Sequence, residues 1–279
     1  MSMATQLPQI PEVQRISPLI IRILGGNAGQ FTLQGTNTYL VGRGPSRLLL
    51  DTGEGKSSWS HCLSSILISE STTISQAIIT HWHPDHVGGV KDLLSFCPNA
   101  TIYKHDPASG QKPIYDCQIF ETEGAKLRAF HCPGHTADHM AFVLEEENAM
   151  FTGDNVLGHG TAVFEDLAVY LDSLSRMREQ FHGRAYPGHG AVIEDGRTRI
   201  EEYIAHRKQR EEEILQALRD IGKEATSMEL VKAVYKDVPS NLHVPAANGV
   251  VQVLRKLEGE GKVAQCQHES WQIADKATL

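Results

Sequence analysis

The stretch THWHPDHVGG, residues 80–89, follows an apolar run and contains three histidines and one aspartate within six positions. Such a cluster is either a metal-binding loop or a polar loop in which histidines have accumulated. If the backbone stays extended where the apolar run ends, His81 and His83 project to the same side, because strand side chains alternate with a period of two. Pro84 favours the extended form, since the residue before a proline is pushed away from helical geometry. We therefore expect both imidazoles to face one point.

Other candidate ligands are distant in the sequence but share a local pattern. Asp85 and His86 lie where the chain turns towards the glycine pair, so they approach from a second direction. His135 in CPGHT, Asp154 in FTGDNV and His189 in YPGHG each follow a glycine where a predicted strand gives way to a loop. Glycine permits the tight turns that bring a ligand onto a shared centre. A chance cluster would not predict these partners, so the sequence indicates a metal centre.

The composition is that of an ordinary globular enzyme. The chain has 279 residues, 41% of them hydrophobic and 22% charged, and its net charge of −8 gives no general attraction to nucleic acid. Its five cysteines are widely spaced and form no CxxC pair, which is typical of free thiols in a reducing compartment. The N-terminus lacks a signal-peptide pattern, and no apolar window approaches the ~20 residues of a membrane span. We expect a cytoplasmic protein that does not use a membrane.

Short β-rich runs alternate with helical segments and predict a layered α/β (α+β) fold with helices outside the sheets. The charged segment 198–219 has a narrow apolar stripe and predicts a long exposed helix. Two short amphipathic helices and a hairpin after it resemble a winged helix, for which the acidic net charge favours packing or dimerisation over DNA binding. We divide the chain into a principal domain (1–197), a connecting helix (198–224) and a small C-terminal domain (225–279). The predicted strands centre on residues 19–24, 38–41, 47–51, 77–80, 101–103, 127–130, 141–144 and 149–151.

The motifs HWHPDH, PGHT, GD and PGHG, taken together, resemble those of the metallo-β-lactamase superfamily over roughly residues 18–195. The resemblance implies an αβ/βα sandwich with a two-metal site at one edge of its sheets. It also implies seven ligands: three for each of two Zn²⁺ ions and one shared between them. The ligands of one ion are His81, His83 and His135, those of the other are Asp85, His86 and His189, and Asp154 bridges the two.

Two such ions, zinc or other divalent metals, are expected to share a hydroxide, lower its pKa and polarise the bond under attack. The expected reaction is therefore hydrolysis. The geometry of the family implies that Asp85 contacts both the metal and the nucleophile. Asp85 is our candidate catalytic residue, which positions the hydroxide and shuttles its proton.

Further polar residues are weaker candidates. His159, in NVLGHG just after the bridging aspartate, is a candidate for binding a substrate oxygen. Thr80 and Asp51 lie at strand ends, where they either orient ligand imidazoles or are ordinary turn residues. For four others, core packing or solvent exposure is favoured over a functional role: His131, His139, Cys132 and His206.

A narrower resemblance covers almost the whole chain. The segments FTLQGTNTYLVG, LLLDTGEGKSSW, GHTADHMAFVLEEENAMFTGDNVLGHGTAVFEDL and YPGHGAVI are similar to the β-lactamase-like protein 2 group. That group contains fungal thioesterases, of the atrochrysone carboxyl type, which release polyketides from the acyl carrier protein of non-reducing polyketide synthases. It also contains an endoribonuclease that cleaves single-stranded RNA.

Physical chemistry favours the thioesterase. A thiolate, with a conjugate-acid pKa of about 8.5, leaves with little protonation, whereas RNA cleavage requires a groove that gathers several phosphates. The densest basic run, 207–210, is followed at once by three glutamates. We predict metal-hydroxide attack on a small-molecule acyl thioester carried by an acyl carrier protein, with nucleic acid a substrate only for the endoribonuclease alternative. A glyoxalase-II-like hydrolase is a further alternative; a binding module without activity is disfavoured because all seven expected ligands are present.

Overall fold

The computed structural model describes residues 7–236 and 243–274. Residues 237–242 and 275–279 of the predicted C-terminal domain lie outside the described residues, as do residues 1–6. The strands are β1 (Val13–Ser17), β2 (Ile20–Leu24), β3 (Asn37–Val41), β4 (Ser46–Leu50), β5 (Thr73–Ile78), β6 (Thr101–Lys104), β7 (Lys112–Pro113), β8 (Ile119–Thr122), β9 (Ala125–His131), β10 (Met140–Leu144), β11 (Ala149–Gly153), β12 (Ala185–Pro187), β13 (Ala225–Thr226), β14 (Val263–Gln265) and β15 (Ser270–Ile273). The helices are α1 (Ser57–Ser69), α2 (Pro84–Val87), α3 (Val90–Phe96), α4 (Leu167–Arg178), α5 (Gly196–Ile221), α6 (Ser227–Val234) and α7 (His243–Gly259).

Two sheets form the centre of the molecule. The first has the order β1-β2-β3-β4-β5-β6-β7 and is antiparallel up to β4 and parallel from β4 to β7. The second has the order β12-β11-β10-β9-β8, in which only β11 and β12 pair in parallel. Each predicted strand is present, with bounds shifted by a few residues. The predicted layered α/β sandwich is therefore confirmed.

Strand β10 shows how the sequence divides its side chains between two cores. Met140 and Phe142 point into the core between the sheets, whereas Ala141 and Val143 pack beneath the helices on the outer face. Every residue of β10 is buried, because both faces of the sheet are covered. An apolar run without alternation is the expected sequence of such a strand.

Helices cover the outer face of each sheet. Trp59 and Leu63 of α1 and Leu93 of α3 pack on the first sheet and are fully buried. Tyr170 and Leu174 of α4 do the same on the second sheet. Complete burial of a large apolar side chain contributes about 1.5–3 kcal/mol, so these few residues hold the outer layers in place.

Helix α5 is better packed than the predicted exposed helix. Its 26 residues begin at a side-chain cap, in which Asp195 accepts a hydrogen bond from the backbone of Thr198. Ile214 and Leu218 on its apolar stripe are buried in a core that extends from the second sheet to Trp271 in the C-terminal region. Only the outer faces of the helix are exposed as predicted. One hydrophobic core therefore joins the sandwich to the C-terminal elements.

The C-terminal elements are α6, α7 and a small sheet of order β13-β15-β14. The predicted hairpin is confirmed: Val263 pairs with Ile273 in an antiparallel register. Helix α6 begins with a capping box between Thr226 and Glu229. Within the described ranges, no helix has both the length and the apolar character to cross a membrane.

Candidate metal centre

The candidate ligands lie on loops at one edge of the sandwich. Strands β9 and β11 are both antiparallel to β10, and β12 is parallel to β11, so all three run in one direction. Loops at their carboxyl ends carry His135, Asp154 and His189, while the 80–89 stretch follows the carboxyl end of β5. Because the two sheets pack face to face, these four loops converge. The sequence predicted that each of these candidate ligands lies just after a strand, and the strand bounds confirm this.

One group of ligands consists of His81, His83, His135 and Asp154, whose ligand atoms lie within 4.8 Å of one another. His81 Nε2 is 2.9 Å from His83 Nδ1, which is 3.1 Å from His135 Nε2. Ligands bound tetrahedrally at 2.0–2.1 Å from zinc are separated by roughly 3.3 Å. The three imidazoles are therefore spaced as the ligands of one metal ion are.

Asp85, His86 and His189 form a second group. Asp85 Oδ2 is 3.3 Å from Nε2 of His86 and 3.3 Å from Nε2 of His189. Asp154 lies between the groups: its Oδ2 is 3.6 Å from His135 Nε2 and 3.2 Å from His189 Nε2. The structure thus brings together all seven residues that the motifs indicated, with Asp154 in the intermediate position.

The chemistry of the cluster fits metal binding. His86 Nε2 and Asp154 Oδ1 are buried, and neither has a hydrogen-bond partner in the part of the chain that the structure describes. Buried polar atoms in folded proteins are normally partnered. A Cβ atom at Gly188 would lie 2.2 Å from Asp154 Oδ1, so glycine is required beside the carboxylate. This His/Asp cluster can bind metal.

Asp51 and Thr80 orient two of the imidazoles, which decides between the two interpretations left open by the sequence. The Asp51 carboxylate accepts hydrogen bonds from Thr80 N at 2.8 Å, from Thr80 Oγ1 at 2.9 Å and from His86 Nδ1 at 2.7 Å. Since His86 Nδ1 donates its proton to Asp51, Nε2 faces the cluster and is the nitrogen that can bind a metal ion once it is deprotonated. Thr80 Oγ1 also lies 2.9 Å from His81 Nδ1 and fixes that ring in the same way.

Sequence reasoning missed two residues, Asn27 and Thr36. Thr36 Oγ1 donates a 2.8 Å hydrogen bond to Asp85 Oδ2. Asn27 holds Thr36 through its amide nitrogen, 3.0 Å from Oγ1, and its amide oxygen, 2.9 Å from the backbone nitrogen. Thr36 lies in the segment FTLQGTNTYLVG, where the only available signal was a polar residue just before a predicted strand.

Opposite charges set the protonation of the cluster in the metal-free chain. Burial disfavours the charged form of Asp154, but His189 and His86 outweigh it and hold its pKa well below the usual range. Burial also opposes protonation of His86, yet Asp51 and Asp154 keep its pKa well above 6.5. Burial and the neighbouring His86 lower the pKa of His81 well below 6.5. The carboxylates are therefore ionised, as metal ligands must be.

The less favoured candidates lie outside the ligand groups. His139 is buried, accepts a 3.0 Å hydrogen bond at Nε2 from the Asp154 backbone and lies 3.3 Å from Cys132 Sγ, so both pack beneath the cluster. His131 stacks on His105 at a ring-centroid distance of 4.3 Å. His206 is exposed on α5.

A cleft of about 340 Å³ opens above the cluster. Its floor contains metal-ligand candidates, and its walls are largely apolar, with Phe31, Leu157 and Val163 among them. Phe31 is 71% exposed and Val163 61% exposed, which is unusual for large apolar side chains. His159, the predicted contact to substrate, lines the wall.

Comparison with known proteins gives the family. Residues 31–115 and 118–189 match the model of the metallo-beta-lactamase superfamily, and residues 226–271 match that of the beta-lactamase associated winged helix domain. The chain belongs to the metallo-β-lactamase superfamily. The predicted family, sandwich and winged helix are confirmed, and the chain is a hydrolase. The domain boundaries placed at 197 and 224 remain predictions.

Relatives and solved structures agree with this membership. The chain is 48% identical to the lactamase-like protein ptaB of Pestalotiopsis fici, over 92% of this chain and 86% of that protein. It is 47% identical to an atrochrysone carboxyl ACP thioesterase of Aspergillus chevalieri, over 94% of this chain and 88% of that protein. A beta-lactamase domain protein of Burkholderia ambifaria has the same fold, with a TM-score of 0.82 at 18% identity over 98% of this chain and 96% of that one.

Proposed function

We propose that this hydrolase is a zinc-dependent thioesterase that releases a polyketide from the acyl carrier protein of a non-reducing polyketide synthase. Relatives from Aspergillus chevalieri and Aspergillus aculeatus, 47% and 45% identical, are named atrochrysone carboxyl ACP thioesterases. The chain covers 88% and 87% of their lengths, so the similarity extends over the catalytic and C-terminal regions alike.

The composition of the cleft carries the proposal. Among the described residues that line it, none is a lysine or an arginine, and the walls around the His/Asp cluster are mainly apolar. An RNA strand requires several cations along its path. Arg210, in the densest basic run, is 2.6 Å from the Glu213 carboxylate and lies over the ring of Tyr235. An acyl thioester, which is uncharged at the reacting bond, suits this cleft better than a phosphodiester.

One zinc ion would be held by His81, His83 and His135 and a second by Asp85, His86 and His189, and Asp154 lies close enough to serve both. When bound, the ions supply Lewis acidity that activates water and polarises a carbonyl group. Asp85 orients the attacking water and accepts its proton, while Thr36 fixes the carboxylate through the hydrogen bond to Oδ2. His159 binds the substrate oxygen, and the apolar walls keep bulk water away from the thioester. The departing thiolate needs no general acid, since its conjugate-acid pKa is about 8.5.

The test compares three substrate classes on the purified, zinc-loaded protein. Acyl thioesters of a carrier protein, acyl thioesters of glutathione and labelled single-stranded RNA are assayed at equal concentrations. We expect turnover of the carrier thioester, with a smaller kcat/KM for the glutathione thioester and no RNA cleavage. RNA cleavage without thioester turnover would overturn the proposal, and a preference for glutathione thioesters would replace it with a glyoxalase-II-like activity.

The variant Asp85→Asn tests the role of the proposed proton acceptor. We expect kcat to fall by about 10²–10⁴-fold, the usual contribution of general acid–base catalysis. Asp172→Asn is the matched control, because the side chain of Asp172 is 70% exposed and pairs only with Arg176 in the described part of the chain. Full activity of the Asp85 variant would remove this residue from the mechanism.

A further inference from the structure

A second groove, of about 490 Å³, continues from the metal cleft towards the winged helix. It lies between the loop 161–164, α5 and α7. The two cavities share Phe31, Thr161, Ala162 and Val163 as lining residues. A substrate group that begins at the metal centre can therefore extend into this groove without leaving the protein surface.

Arg207 of α5 is a cation in this groove that lacks a carboxylate partner. Its guanidinium donates a 2.6 Å hydrogen bond from Nη2 to Ala162 O and lies 4.7 Å from the centre of the Phe164 ring. Its Nε is buried and has no hydrogen-bond partner among residues 7–236 and 243–274. Within the same ranges no carboxylate lies within ion-pair distance of it, in contrast to Arg210 and Glu213. Arg207 lines the groove, and no carboxylate of the described residues balances its charge, so the site favours a ligand with an acidic oxygen.

A glycine inside α7 keeps the groove open. Gly249 lines the groove, and a Cβ atom at this position would have no atom within 4 Å. Glycine in a helix interior costs about 1 kcal/mol relative to alanine. Because Gly249 has no side chain, open space remains beside Asn248 and Gln252, which line the same wall of the groove.

The remaining walls suit a flat ligand. Phe31, Phe164 and Tyr235 all line the groove, and aromatic rings favour stacked or edge-on contact with other rings. We propose that this groove holds the acyl group of the substrate and that Arg207 pairs with an acidic oxygen on that group. The proposal rests on the thioesterase function. Charge complementarity and the continuity with the metal cleft identify the acyl group, rather than a segment of protein, as the occupant.

The test uses N-acetylcysteamine thioesters, which contain no phosphate. The readout is the ratio of kcat/KM for a 3-hydroxy-2-naphthoyl thioester to that for an acetyl thioester. We expect Arg207→Gln to lower this ratio by about 10–100-fold, the usual effect of losing a hydrogen bond to a charged group. Lys208→Gln, one position along α5 and exposed, is the matched control and should leave the ratio within twofold.

Two substitutions at Gly249 separate groove filling from helix stability. Both Gly249→Ala and Gly249→Leu should raise the melting temperature, because each removes a helical glycine. Only the leucine variant should lower the ratio, by at least about tenfold, since its side chain occupies the groove. An unchanged ratio in both Arg207→Gln and Gly249→Leu would overturn the proposal. So would a loss seen only with substrates that carry a phosphopantetheine arm, which would assign Arg207 to its phosphate.

A binding measurement keeps the groove testable if no thioester is hydrolysed. The fluorescent probe 2-naphthol is titrated into the zinc-loaded wild-type protein and into each variant. Weaker binding by at least about tenfold in Arg207→Gln and Gly249→Leu supports the groove even if the thioesterase proposal fails. Equal binding by all variants, or no binding to the wild type, overturns the groove whether or not thioesters are hydrolysed.

Discussion

Replacement of Asp51 by asparagine changes one side-chain group next to the candidate metal centre. We expect it to lower the affinity for one of the two metal ions selectively. The carboxylate accepts three hydrogen bonds, two from Thr80 and one from His86 Nδ1. An asparagine oxygen can still accept from the Thr80 backbone, but its NH₂ group then faces the imidazole. Because an NH₂ group cannot accept the Nδ1 proton, His86 is driven to the other tautomer, with the proton on Nε2. That nitrogen is the one that faces Asp85 and Asp154.

The magnitude follows from this loss of orientation. Substitution of a residue that holds a ligand imidazole typically lowers metal affinity 10–100-fold, which corresponds to about 1.4–2.7 kcal/mol. The substitution should not add backbone strain. Asp51 has a φ of +57°, a conformation that asparagine tolerates as well as aspartate does. The group that contains His83 and His135 should keep more of its affinity, because it is linked to Asp51 only indirectly, through Thr80 and His81.

The assay is competition with a chromophoric chelator, which resolves the two affinities, combined with thermal unfolding of the metal-free protein. We expect the D51N variant to retain one tightly bound zinc ion and to release the other at 10–100-fold lower chelator concentration. Asp138→Asn is the control, since Asp138 is also buried but pairs with Lys104 and Thr136, outside the ligand groups. It should lose stability without losing zinc. If D51N binds two zinc ions as tightly as the wild type does, the tautomer argument is refuted.

Three further predictions follow from single contacts. Gly188→Ala should bind less zinc, as measured by elemental analysis, because the new Cβ lies 2.2 Å from Asp154 Oδ1; a full metal complement would contradict this. Thr36→Val should lower kcat about 10–100-fold at unchanged metal content, since the Asp85 carboxylate loses one hydrogen bond of about 1.5–3 kcal/mol; an unchanged kcat would show that this bond has no catalytic part. Burial raises the pKa of the Cys132 thiol to about 12, so it should resist alkylation from pH 7 to 10 until the protein unfolds. Mass spectrometry of the alkylated sites checks this, and early labelling of Cys132 in folded protein would contradict it.

The sequence by itself predicted most of the central strands and the candidate ligands. Apolar runs such as those of β3, β4 and β10 identify strands that are covered on both faces. Successive residues of a strand point to opposite faces, so burial of both faces requires apolar residues at consecutive positions. The sequence signal of the ligand loops is equally local, because it consists of a strand end, a glycine and a polar residue at neighbouring positions. His81 and His83 converge because they are two positions apart in an extended chain. The position of His135 beside them depends on the order of strands in the sheets. The glycine and histidine after a predicted strand were nevertheless enough to indicate His135 as a candidate ligand.

Only the tertiary structure decided which residues hold the candidate ligands in place and where the proposed substrate groove lies. Thr36 and Asp85 are 49 residues apart, and Asp51 and His86 are 35 apart, so no local pattern connects them. Strand pairing in the first sheet brings them into contact. The same holds for the predicted exposed helix, whose stripe is buried because the C-terminal elements pack on it. The groove beside Arg207 could not be predicted from the sequence. It is a cavity that forms where the loop 161–164, α5 and α7 meet, and no local sequence pattern records such a meeting.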